Sequence, residues 1–106
     1  MGRVMRRGQI WLAHVGRTER PVLLHTRTEV LDVRGMVTAA EITTSIRGLA
    51  TEVAFDHDNV GVHSESVINC DGLHTIAQTS MTGPIGEVDD DVIASVCAAL
   101  NYSLGY

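Results

Sequence analysis

The chain has 106 residues, 44% of them hydrophobic, enough for one folded domain spanning 1–106 and too ordered in composition for an intrinsically disordered segment. No apolar run approaches the roughly 20 residues of a membrane span, so no membrane role is expected. The net charge of −5 argues against a nucleic-acid partner until its distribution is considered: all eight basic residues are arginines within residues 1–47, giving that segment 8 − 4 = +4 and the remaining 59 residues −9. Arginine suits bidentate phosphate binding and base stacking, although an acidic surface with a basic N-terminal edge accounts for the same numbers.

In chain order, residues 8–15 (GQIWLAHV) alternate as a first strand, which makes the arginine-rich N-terminus a folded element rather than a signal peptide and leads us to expect a cytoplasmic protein. Gly16 to Glu19 form a tight connection. A second strand covers 21–27, with Pro21 at its first position, where a missing N–H does least harm. A polar loop, 28–35, leads to a third strand at 36–42, and a fourth covers 50–55. After a loop at 56–65, short strands are read at 66–69, near 73–77 and at 84–88, with a turn or helical turn near 78–82. Asp89, Asp90 and Asp91 precede an apolar series at Val92, Ile93, Val96, Cys97, Leu100 and Leu104, whose steps of three and four mark a helix with an aspartate cap. Many short strands and one C-terminal helix predict a mainly β fold with α, a small, strongly bent antiparallel barrel.

Cys70 and Cys97 form no CxxC pair and read as reduced, packed thiols. His14, His25, His57, His63 and His74 have no zinc-ligand spacing, and no nucleotide-binding, hydrolase or metalloprotease motif occurs, so no metal or other cofactor is expected. What remains is arginine with hydroxyls. Arg20 begins a strand after the first turn, and Thr43, Thr44 and Ser45 end the third, ahead of Arg47-Gly48. At one rim of a barrel, a guanidinium could neutralise a phosphodiester while a hydroxyl orients it. On residue type alone, a surface ion pair for Arg20 and a turn cap for Thr43 are the commoner roles.

Four segments, in order, resemble the MazF/PemK toxins: Arg7-Gly8-Gln9-Ile10-Trp11, Arg20-Pro21-Val22-Leu23-Leu24, the stretch from Ile42 to Val53, and Ser66 to Asp71 followed by Thr75-Ile76 and Ile85-Gly86-Glu87-Val88. The third is similar to actinobacterial members. The resemblance implies an SH3-like barrel with a C-terminal helix, a homodimer and a type II toxin that cleaves single-stranded RNA at short sequence motifs. Cleavage would proceed by attack of the 2′-OH, leaving a 2′,3′-cyclic phosphate and a 5′-OH. It implies Arg20 and Thr43 as the catalytic pair and a MazE-like antitoxin whose acidic tail covers the groove. Ser45 and Arg47, in the loop that follows, then read as RNA contacts rather than catalysts; Gln9, Asn69 and Asp71 could read or position bases, and turn-making is at least as common a role for Asn69 and Asp71. Two features depart from the pattern. Gln9 stands where the family usually has an acid, and the first loop is short. They motivate a cleavage-impaired relative that only binds RNA or a partner. A CcdB-like toxin that inhibits DNA gyrase through terminal aromatics, here Tyr102 and Tyr106, is the other rival.

Overall fold

The computed structural model describes residues 5–25, 35–58, 62 and 64–104. Within them run β1 (Gln9–Val15), β2 (Thr18–Leu24), β3 (Met36–Thr43), β4 (Glu52–Ala54), β5 (Val67–Ala77), β6 (Thr82–Glu87) and α1 (Asp90–Leu104). The strands form one sheet in the order β4-β5-β3-β2-β1-β6, every neighbour antiparallel. The expected class, mainly β with one C-terminal helix, is the one found. The polar loop read at 28–35 lies outside the described residues except for Gly35, and so does His63.

Period-two alternation puts side chains on opposite faces of the sheet, and both faces are buried. On β3, Ala40 and Ile42 face α1, packing with Ile10, Leu23, Ile68, Val96 and Leu100. Val37 and Ala39 face the other way, with Trp11, Val22, Leu24, Ile76 and Met81. Asp89 caps α1 as expected, its carboxylate accepting the Val92 N–H at 2.9 Å, with Asp90 and Asp91 in the first turn. Cys70 is a buried thiol, pushed up to about 11 by burial and then by Asp71 and Cys97.

Three departures from the sequence reading bear on the site. First, β2 starts at Thr18, not at Pro21, because the loop after β1 has only two residues; Gly16 takes its first position at φ 68°, the left-handed region that such a hairpin requires there. Arg20 and Pro21 are therefore interior to the strand. Second, β2 pairs with β1 from Val15–Thr18 to Ile10–Leu23 but with β3 only at Val22, Leu23 and Leu24. That ladder stops beside Pro21, which has no N–H to give. Third, the two strands read at 66–69 and 73–77 are one, β5, carrying a bulge. Ala40 pairs with Leu73 and Glu41 with Asn69, so three residues, Cys70 to Gly72, fall outside the β3 ladder.

The segment joining β3 to β4 is wound around a carboxylate. Glu52 Oε1 accepts the backbone N–H groups of Arg47, Gly48 and Leu49 at 3.0, 2.8 and 3.2 Å, and Glu52 Oε2 lies 3.4 Å from Arg47 Nε. Gly48 supplies the positive φ, 72°, that turns three donors inward. Burial pushes the Glu52 carboxyl up, but these hydrogen bonds outweigh it and hold the group below its ordinary value.

Gln9 is buried in the structure, where its Oε1 accepts the Trp11 indole N–H at 3.1 Å and the Arg6 backbone N–H at 2.8 Å. Gln9→Ala leaves an indole N–H buried without that partner, and should lower stability by about 1–3 kcal/mol in urea unfolding. Gln9→Glu keeps an acceptor and should lose less; equal stability of wild type and the alanine variant would refute the assignment. For Glu52 the sign runs toward acid. A carboxyl with a lowered folded-state value contributes stability that is complete above the ordinary 4.5 and lost as pH falls through the lower value. The amide NMR shifts of Arg47, Gly48 and Leu49 should titrate together with a midpoint below 4.5; a midpoint at or above it rejects the clamp.

Candidate active site where β2 and β3 part

Beyond the end of the β2–β3 ladder the sheet opens into a cavity of about 360 Å³. Arg20 and Pro21 of β2, Ile42, Thr43 and Thr44 from the end of β3, Leu12 of β1 and Ile85 of β6 line it, together with Val62, Ser64 and Ser66. The register that pairs Val22 with Glu41, carried on by two residues, sets Arg20 opposite Thr43. A guanidinium and a hydroxyl from separate strands thus share one cavity wall.

The Thr43 hydroxyl is already oriented. Its Oγ1 accepts the Ser45 backbone N–H at 3.0 Å, which leaves its own proton to be donated into the cavity. Arg20 Nη1 lies 2.9 Å from Glu41 Oε1, and the second Glu41 oxygen lies 3.3 Å from His74 Nε2. The Arg20 side chain is 44% exposed and that of Glu41 19%. An ion pair this open contributes about 0–1 kcal/mol to stability, so holding the fold together is not its main effect. With one cation and several hydroxyls over apolar walls, the cavity suits an anionic oxygen on a larger body, as in a phosphodiester.

The other residues singled out in the sequence lie elsewhere. Ser45 is exposed just past the cavity rim and touches Thr43 through its backbone. Arg47 is exposed, its backbone and guanidinium turned to Glu52. Gln9 is buried and does not line the cavity; its Oε1 accepts the Trp11 indole N–H. Asn69 and Asp71 serve the β5 bulge, Asn69 Oδ1 accepting the Asp71 N–H at 3.1 Å and Asp71 Oδ2 accepting the Thr51 hydroxyl at 2.7 Å. Neither lines the cavity.

Sequence reasoning missed Ser64, Ser66, Glu41 and His74. Glu41 precedes Thr43 by two residues on one strand, so a period-two reading would have set both on one face. No comparable signal marks His74, whose place depends on the bulge. Among the described residues, no three histidine, cysteine or acidic side chains stand close enough to hold a metal ion, and no helix is long and apolar enough to cross a membrane. Tyr102 is 70% exposed on α1, and Tyr106 lies outside the described residues.

Residues 6–104 match the family described as PemK-like, MazF-like toxin of type II toxin-antitoxin system. The chain is 34% identical over 101 residues to the probable endoribonuclease MazF2 of Mycobacterium tuberculosis, covering 95% of this chain and 99% of that one. Among solved structures it is similar to the Mycobacterium tuberculosis toxin MazF-mt6, with a TM-score of 0.85 and 34% identity over 92% of this chain and 96% of that one. It is also similar to a chain of the MazE-MazF crystal structure (Form-II) from Deinococcus radiodurans, with a TM-score of 0.80 and 25% identity over 97% of each. The family match over residues 6–104 and the likeness in sequence and fold to these relatives agree: the chain belongs to the PemK-like, MazF-like toxins of type II toxin–antitoxin systems.

Proposed function

We propose that this toxin is an endoribonuclease that cuts single-stranded RNA at Arg20 and Thr43. The observation that carries the reading is the shared cavity wall, with the Thr43 hydroxyl pre-oriented by the Ser45 N–H. That its mycobacterial relatives are described as endoribonucleases supports the activity.

RNA carries its own nucleophile. The 2′-oxygen loses its proton to solvent and attacks the adjacent phosphorus, the bond to the 5′-oxygen breaks, and a 2′,3′-cyclic phosphate remains. The leaving 5′-oxygen takes up a proton. Charge accumulates on the non-bridging oxygens of the pentavalent phosphorane, which is where fixed donors act most strongly. Arg20 is always protonated and therefore unsuited as a base. It neutralises that charge and stands ready as donor to the leaving oxygen, while Thr43 donates its hydroxyl proton to a non-bridging oxygen. Ser45, exposed beside the rim, and Arg47, exposed further along the same segment, meet the flanking RNA backbone. Neither step calls on a metal ion.

The same reading makes the protein a cytoplasmic homodimer whose partner is a MazE-like antitoxin, as the description of the Deinococcus radiodurans complex suggests. The rival reading of a cleavage-impaired relative loses one of its two grounds, because an acceptor for Trp11 is what Gln9 supplies.

Purified protein should cut single-stranded RNA in EDTA and leave cyclic-phosphate ends. Arg20→Ala should lower the cleavage rate by about 10²–10³-fold, and Thr43→Val by a similar order, with unchanged circular dichroism and melting. Intact RNA after incubation with the wild type, or an undiminished rate for Arg20→Ala, would sink the proposal.

A further inference from the structure

Glu41 and His74 take no part in the chemistry described above, yet both oxygens of Glu41 are engaged, one by Arg20 Nη1 at 2.9 Å and the other by His74 Nε2 at 3.3 Å. We infer that Glu41 is a positioning residue, which aims the Arg20 guanidinium into the cavity and is itself held by His74. The inference rests on the ribonuclease reading of Arg20.

Glu41 and Thr43 alternate on β3 and share a face, and the continued β2–β3 register sets Arg20 opposite Thr43. Arg20 therefore spans from the cavity wall to a carboxylate one step deeper in the sheet. Arg20 lines the cavity and Glu41 does not. A guanidinium has five N–H donors in a rigid fork, so Glu41 can grip one edge while others remain for a phosphate. Arginine is long and rotamer-rich, and beyond the last β2–β3 ladder pair no β3 residue is paired with Arg20, while its β1 partner is the small Ala13. The carboxylate provides that confinement.

The β5 bulge makes room for the arrangement. His74 pairs with Ala39 and so lies on the face that carries Glu41. A Cβ added at Gly72 would stand 3.2 Å from Glu41 Oε2, 3.3 Å from Glu41 Cβ and 3.1 Å from Asn69 Nδ2. A side chain at position 72 would press on the Glu41 carboxylate and on Asn69, which would have to give by a few tenths of an ångström. Bulges often occur beside sites, and this one brings Gly72, with no side chain, against an acid one remove from the RNA.

A positioning role separates rate from affinity. Aiming the guanidinium matters most in the transition state, whereas the negative charge of Glu41 does nothing to attract the RNA ground state. In single-turnover cleavage, Glu41→Gln should lower the rate by about ten- to a hundredfold. Binding of a non-cleavable 2′-O-methyl oligonucleotide should stay the same or tighten. His74→Gln, whose amide can donate to the same oxygen, should restore most of what His74→Ala loses, and Gly72→Ala should slow cleavage although it touches no RNA. Nitrogen-15 NMR of the Arg20 guanidinium supplies a readout independent of activity: restricted rotation in the wild type, and fast rotation in Glu41→Gln. A variant Glu41→Gln that cuts as fast as the wild type or faster, or equally free rotation in both, overturns the inference while leaving the ribonuclease reading intact. If the wild type cuts no RNA, the ribonuclease reading falls and the rotation measurement alone decides the clamp.

Discussion

A proline in an interior strand cannot complete a ladder on both sides. In this sheet Pro21 sits in β2, flanked by β1 and β3, and the β2–β3 pairing ends at the next residue. Had another residue stood there, the register would continue through Ile42 to Thr43 and the two strands could zip to their ends. Instead the strands part where Arg20 and Thr43 are carried, and the space between them is lined by Leu12, Ile42 and Ile85 below and by hydroxyls above. The site is a defect in a hydrogen-bonded sheet, placed by a residue that lacks a donor.

Rigid supports surround this opening. The Gly48 turn wraps the β3–β4 segment onto Glu52, whose side chain is only 3% exposed, so the chain leaving Thr43 returns to the sheet along a fixed path. The Gln9–Trp11 contact secures the opposite face, with Trp11 packed so closely on Gly83 that a Cβ there would lie 3.3 Å from the ring. On β5, the bulge joins the network through Thr51 and Asp71. Each support uses polar groups to fix backbone, and none of these three contacts lies within the cavity wall.

The sequence revealed most where a local rule governs the outcome. Alternation in 36–42 located β3, and three aspartates before an apolar series located α1, because capping and periodicity act within a few residues. The Arg20–Thr43 partnership came from family resemblance; nothing local ties a residue of one strand to a residue 23 positions away. Strand ends were less legible. Pro21 reads as a strand start when only its own chain is considered, and its interior place follows from a two-residue turn that lets Thr18 pair with Val15. Cys70-Asp71-Gly72 interrupts the strand pattern in the sequence, so one bulged strand reads as two, at 66–69 and near 73–77. Asn69 and Asp71, for which base contact and turn-making were both open, hold the bulge through hydrogen bonds, and Gln9 accepts an indole N–H. In each case a polar side chain near the family motif had a nearer backbone or ring partner.

The turn between β1 and β2 has a consequence for how the enzyme meets its substrate. Gly16 and Arg17 join paired residues with no slack, so this connection cannot fold over the opening or retreat from it. A two-residue turn is too short to serve as a lid over the opening. Selection among nucleotides on that side then falls to side chains carried by the strands rather than to a closing loop.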